Sequence, residues 1–223
     1  MTEGRTALVA GATGLVGGHL IRQLIDDATC SRIVALTRRP LHEPSSPKLD
    51  VVVAELDTAE SALQDIAAGD AYCALGTTIK VAGSQDAFRK VDHDYIVAFA
   101  RAAKAAGAKR FMLVSAIGAD PDSSIFYSRV KGETERDVEA VGFEALHIFR
   151  PGILLGERAE RRLLEQIGME LSPFINALML GPARAYRAIA AETVARAMRS
   201  AAASTLTGRH IHTYDAMIRL AGV

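Results

Sequence analysis

Tryptophan is absent from these 223 residues, and aromatic residues make up only 5% of them. The core must therefore be aliphatic, which suits helices packed on a parallel sheet better than a sandwich or a propeller. Cysteine is nearly absent too. Cys30 and Cys73 are the only two, which excludes a disulfide framework and a zinc spacing and points to a reducing compartment. Neither sign of charge is in excess, with 26 basic and 26 acidic residues. That balance argues against nucleic acid as a partner, since phosphate binding needs a basic face. Long apolar runs are missing as well. No stretch reaches the ~18 residues a membrane span needs, and the apolar run 174–180 is stopped by Gly181-Pro182 and Arg184. No signal-peptide apolar region follows Met1-Thr2-Glu3-Gly4-Arg5. Repeats and low-complexity tracts are also lacking. The expectation is a soluble, cytoplasmic chain with no membrane and no nucleic-acid partner.

What is present is alternation. Short apolar runs at 6–10, 33–36, 51–54, 71–75, 110–115, 145–149 and 209–212 read as strands. Helical spacing appears at 15–27, 58–68 (with Thr58 as N-cap), 125–141, 192–203 and 215–221. Residues 84–106 read as one long helix closed by Gly107. Two shorter helical stretches fall at 158–168 and 173–180. The proline-bearing stretch 40–48 reads as a loop. Strands alternating with helices imply βαβ units with right-handed crossovers. The expected architecture is a doubly wound α/β fold, a seven-stranded parallel sheet of order 3-2-1-4-5-6-7. It forms a single domain, 1–223, with a small C-terminal cap at about 156–187 on the substrate side.

The first strand runs into Gly11-Ala12-Thr13-Gly14-Leu15-Val16-Gly17. This G-x-x-G-x-x-G segment stands between a strand and a helix, where free N–H groups and the helix dipole favour an anion. Gly11 allows the tight turn, Gly14 lets a pyrophosphate approach the backbone, and Gly17 lets the helix pack close. The segment marks a dinucleotide-binding Rossmann domain. The end of the second strand selects the dinucleotide. An NAD site has a carboxylate there for the ribose 2′-hydroxyl, whereas this chain has Leu36-Thr37-Arg38-Arg39. Guanidinium groups suit a 2′-phosphate, so NADP(H) is the expected cofactor; the alternative is a solvated basic turn.

A second cluster is Tyr127-Ser128-Arg129-Val130-Lys131, a Y-x-x-x-K spacing that places both side chains on one helix face. About 0.1 such pairs arise by chance in this composition, so position carries the argument. The pair follows the fifth strand, whose end holds Ser115, and strand ends are where such sheets bind ligands.

Taken together, these segments resemble the atypical short-chain dehydrogenase/reductases, more narrowly the Tat-interacting-protein oxidoreductase family. The resemblance spans nearly the whole chain. It is carried by 11–17, Ala74-Leu75-Gly76-Thr77-Thr78, Lys80-Val81-Ala82-Gly83, Val91-Asp92-His93-Asp94-Tyr95, 111–119, 126–133 and Phe149-Arg150-Pro151-Gly152. It implies that Tyr127 protonates a carbonyl oxygen, that Ser115 hydrogen-bonds that oxygen, and that Lys131 bonds the nicotinamide ribose and tunes the phenol. It further implies that Pro151-Gly152-Ile153 frame the nicotinamide, Leu56-Asp57 edge the adenine, and Leu75-Gly76-Thr77 line the middle of the cofactor. The Ser115–Tyr127 interval of 12 residues is one shorter than in better-known members, and Asp92 stands where many relatives carry Asn.

The expected activity is NADPH-dependent hydride transfer to a small carbonyl substrate. The alternative is a non-catalytic NADPH-sensing regulator acting through protein partners. Other features read blandly. His210 and His212 form a sheet pair, and no metal site is expected. His93 lies remote from the cofactor and Cys73 belongs to the core. Arg150 faces either the sheet or the pocket. The charged stretch 157–165 is a solvated face. The alanines of 84–106 permit close helix approach, so the chain is expected to be a monomer or a homodimer.

Overall fold

The computed structural model describes residues 4–41, 44–156 and 181–223. Alternation along the strands decides which face each side chain serves. In β1 (Arg5–Ala10), Ala7 and Val9 face one way and Leu8 and Ala10 the other, and all four are buried. In β2 (Cys30–Thr37), Ile33 and Ala35 oppose Val34 and Leu36 in the same manner. Strands apolar on both faces belong inside a sheet covered on both sides.

The remaining strands are β3 (Leu49–Val53), β4 (Asp70–Cys73), β5 (Arg110–Val114), β6 (Ala145–Phe149), the short β7 (Leu154–Leu155) and β8 (Ile189–Ala190), and β9 (Gly208–His212). Seven of them form one parallel sheet in the order β3-β2-β1-β4-β5-β6-β9, as expected. One face packs under α1 (Leu15–Ile25), α7 (Ala191–Ala202) and α8 (Tyr214–Ala221). The other packs under α2 (Ala59–Leu63), α5 (Tyr95–Ala105) and the end of α6 (Phe126–Glu139). The chain reverses its direction of travel between β1 and β4, and the crevice at that switch point is the expected ligand site.

At the opposite, amino edge of the strands, buried Asp70 of β4 ties its strand to the two neighbouring strands. Its carboxylate accepts from Arg5 of β1 at 3.2 Å and from Arg110 of β5 at 2.5 Å. The fully buried carboxylate is matched by two half-buried guanidiniums, so the pairing offsets its desolvation.

Several local expectations need correction. The helix expected at 58–68 stops at Leu63, because Ala68 N–H bonds Ala106 O and Gly69 N–H bonds Thr6 O, drawing the chain into β4. Thr58 does not cap that helix; its hydroxyl donates to Glu55 O at 2.8 Å. The helix expected at 84–106 is broken into α4 (Gln85–Arg89), a wide π turn over Lys90–Asp94, and α5. Ser84 caps its start, accepting from Ala87 N–H, and Gly107 closes it at φ +88°. A short helix α3 (Ile79–Ala82), capped by Thr78, also precedes it. Some of the alanines of 84–106 pack within the fold. Ala100, Ala102 and Ala103 are buried in the chain's own core. A further small sheet pairs β7 with β8 beside Gly152. The helices expected at 158–168 and 173–180, the charged stretch 157–165 and most of the cap lie outside the described residues.

Candidate active site

The loop after β1 is built by close backbone approach. Gly11 sits at φ +86°, and a Cβ there would lie 2.5 Å from Ala74 C and O. Its carbonyl accepts from Gly14 N–H at 2.9 Å. A Cβ on Gly17 would come within 2.0 Å of Gly11 O, so the first turn of α1 is pressed against the loop. No side chain caps that turn and none of its residues is acidic. The helix therefore presents bare N–H groups, which suits a phosphate.

Two adjoining cavities open over this loop. One, about 310 Å³, is lined by Gly11, Thr13, Thr37, Arg38, Arg39, Leu56 and Leu75. The other, about 400 Å³, shares Gly11, Thr13, Arg38 and Leu75 and continues past Gly14, Gly76 and Thr77 to Val91. Ten of the residues predicted to hold the cofactor thus share one crevice at the switch point. Thr37 is mostly buried, its hydroxyl donating to Arg39 O at 2.7 Å and so shaping the turn that carries both arginines. The cradle fits a dinucleotide. Its glycines stand where a side chain would fill the loop, its donors are backbone N–H groups, and the edge at the end of β2 carries two guanidiniums and no carboxylate.

The other predicted cofactor residues line neither cavity. Val16 is buried beneath the loop, and Leu15 packs against Gly156. Asp57 turns to Lys90, 3.3 Å away. Pro151 accepts from Ile117 N–H through its carbonyl, and Ile153 O accepts from Ile189 N–H. Gly152 abuts Tyr186, whose carbonyl oxygen lies 2.7 Å from where a Cβ would stand. A larger cavity of about 550 Å³ opens at the amino edge beside Arg5, Arg110 and Arg199. Its guanidiniums serve Asp70, Asp27 and the Ala202 carbonyl at a helix end, so size alone does not mark the site.

Tyr127 stands in the first turn of α6, about one-third exposed, its ring 5.5 Å from that of Phe88. Lys131, one turn on, is buried, and its ammonium lies 2.6 Å from a carboxylate oxygen of Asp92. Asp92 is wholly buried in the π turn, and its other oxygen accepts from Thr77 N–H at 2.8 Å. The π turn thereby ties Lys131 to the cavity wall, in keeping with the frequency of such turns at functional sites. Ser115, at the end of β5, donates its hydroxyl to buried Glu135 at 2.6 Å. Glu135 also takes two bonds from Arg150, at 2.9 and 2.5 Å, and lies 3.5 Å from Arg209. Arg150 therefore faces this buried acid.

A family model described as NAD(P)H-binding matches residues 11–173. The chain belongs to the NAD(P)H-binding family. Within it, similar proteins include FMP52, mitochondrial, of Saccharomyces cerevisiae, 40% identical over 70% of this chain and 68% of that protein. HTATIP2 of Rattus norvegicus is 36% identical over 88% of this chain and 80% of its own length. The family match and these relatives agree with the resemblance its motifs carry. Solved structures share its fold. The Bordetella bronchiseptica enzyme WbmH in complex with NAD+ superposes with a TM-score of 0.70 at 15% identity, covering 95% of this chain and 76% of that one. MoeE5 in complex with UDP-glucose and NAD gives 0.67 at 18% identity, covering 97% and 82%.

The relatives overturn one expectation. FMP52 proteins of several fungi are named mitochondrial, so the cytoplasmic location read from composition and the first residues is not upheld. No helix among the described residues is long and apolar enough to cross a membrane.

Sequence reading missed Glu135, although Tyr127, Lys131 and Glu135 recur at intervals of four and share one helix face. His147 was missed too. It stacks on both His210 and His212, with ring centroids 5.1 and 5.3 Å away. His93 bonds Asp94 and Asp137. Cys73 is buried, and burial pushes its thiol up to about 12, which leaves it inert as a nucleophile.

Proposed function

We propose that this protein is an NADPH-dependent reductase acting on a small carbonyl compound. The observation that carries the reading is the crevice at the switch point. It joins a glycine cradle to an arginine pair at one end and, through Thr77 and Asp92, to the Tyr127–Lys131 face of α6 at the other. Arg38 and Arg39 would hold a 2′-phosphate, and the loop Gly11–Thr13–Gly14 the pyrophosphate. Gly76 and Thr77 would border the remainder. When bound, NADPH supplies a hydride. Tyr127, exposed enough to meet a ligand, gives its phenolic proton to the carbonyl oxygen. Lys131 is held in place by Asp92. The tests are a screen of aldehydes and ketones following NADPH absorbance, and Tyr127→Phe. Turnover should be lost by at least about a hundredfold with NADPH binding nearly unchanged. Unchanged turnover sinks the assignment.

A second reading has its own observation. Ser115 spends its one hydroxyl proton on Glu135, and Lys131 is paired with Asp92. Groups so engaged suit a protein that binds NADPH and signals its presence to protein partners. Tight NADPH binding with silence across the whole screen would favour it.

A further inference from the structure

The two redox states of a nicotinamide ring differ by one positive charge. Any fixed charge beside the ring therefore discriminates between them, and a bare ammonium disfavours the oxidised form. Lys131 is such an ammonium by type, yet it is not bare. Its side chain is 6% exposed and that of Asp92 0%, with 2.6 Å between the charged atoms. The pair is buried, so water screens it little. It also borders the crevice. A Cβ added to Gly76 would lie 3.5 Å from Asp92 Oδ1 and 3.9 Å from Lys131 Nζ, so at this point of the wall only a glycine separates the ion pair from the cavity. Asp92 is fixed from three sides: by Thr77 N–H on its carboxylate, by Lys131, and by the Thr134 hydroxyl, which bonds its backbone carbonyl at 2.8 Å.

We infer that Asp92 is a positioning residue that sets the redox preference of the cofactor site by cancelling the charge of Lys131. This rests on the NADP(H) reading above and extends it. A neutral pair lets the site retain the oxidised cofactor, whereas an unpaired lysine would discharge it in favour of NADPH. An amide at this position would leave the ammonium uncompensated, so the acid has a chemical consequence.

The test needs no substrate. The full chain and its variants are titrated with NADPH by cofactor fluorescence, and with NADP+ by displacement, to give the ratio of the two dissociation constants. Asp92→Asn keeps an acceptor for Thr77 N–H and removes the charge. It should shift the ratio toward NADPH by about tenfold, the scale of one unit charge in a partly buried site. Lys131→Met should shift it toward NADP+, and the double variant should return to within about threefold of the wild type. Asp92→Glu keeps the charge and should keep the ratio. A purely structural role for Asp92 weakens both cofactors alike and leaves the ratio flat, and a flat ratio across the series overturns the inference. If one single variant does not fold, the other carries the comparison, because the two have opposite signs. Failure of the wild type to bind either form overturns the cofactor reading itself, which is a separate result.

Discussion

Mild acid should destabilise this protein through two histidines. His147 of β6 and His212 of β9 are buried side by side, with His147 Nδ1 3.0 Å from His212 Nε2. Phe149 stacks on His212 at 4.8 Å between ring centroids. His147 Nε2 is buried and has no partner among the described residues. Burial first, then the neighbouring imidazoles, pulls both groups from 6.5 to about 4; Arg110 adds to the effect on His147. The folded value lies below the unfolded one, so the unfolded chain takes up protons first. The stability these residues leave intact is therefore complete above pH ~6.5 and is lost as pH falls toward 4. At pH 5.5 the loss is about 3 kcal/mol for the two together. Domains have only about 5–15 kcal/mol in total, so the effect is easily read. Urea unfolding at pH 7.5 and 5.5 should show the wild type losing about 3 kcal/mol more than a His147→Leu/His212→Leu variant. The other four histidines, His19, His42, His93 and His210, are common to both proteins. Equal losses in the two would refute the reasoning.

Replacing Arg38 and Arg39 by alanine should reduce the preference for NADPH over NADH by at least about tenfold, since each charge-assisted bond contributes about 1.5–3 kcal/mol; an unchanged ratio in parallel titrations would assign both arginines to solvent. Gly17→Ala should lower NADPH affinity by more than about tenfold, because a Cβ 2.0 Å from Gly11 O must lift α1 off the phosphate loop. Gly18→Ala is its control, as the nearest atom to that Cβ is 3.8 Å away, and equal behaviour of the two would remove the argument. Glu135→Gln leaves Arg150 without its buried counter-ion and should cost about 3 kcal/mol in chemical unfolding; a loss below about 1 kcal/mol would mean that the ion pair and its desolvation nearly balance.

The fold was legible where local pattern and tertiary demand coincide. Strands apolar on both faces, such as Leu8–Val9–Ala10 and Val34–Ala35–Leu36, can only be central. Their alternation with helices fixed a parallel sheet, and the strand order followed. Legibility failed where a distant partner decides. Nothing near Leu63 announces that Ala68 and Gly69 will be claimed by Ala106 and Thr6. The π turn at Lys90–Asp94 is likewise invisible to a 3.6-residue period. It inserts one residue into the helical count, at the place where Asp92 meets Lys131 and Thr77 N–H behind the crevice wall.

The site divides along the same line. Glycines, the arginine pair and the Y-x-x-x-K spacing are contiguous motifs, and contiguity is what a sequence displays. The two buried acids are not contiguous with what they control. Asp92 lies 39 positions before Lys131, and Glu135 lies 20 after Ser115 and 15 before Arg150. Their roles depend on hydrogen counts at a meeting point. A serine has one hydroxyl hydrogen and a carboxylate in an ion pair has none to give, so the Ser115–Glu135 bond leaves Ser115 offering only lone pairs to a ligand. Such a hydroxyl can accept from the Tyr127 phenol or from the alcohol product, but not donate to a carbonyl oxygen while that bond stands. The motifs named three side chains of the candidate site; the acids behind them decide which of those side chains still has a proton or a charge to use.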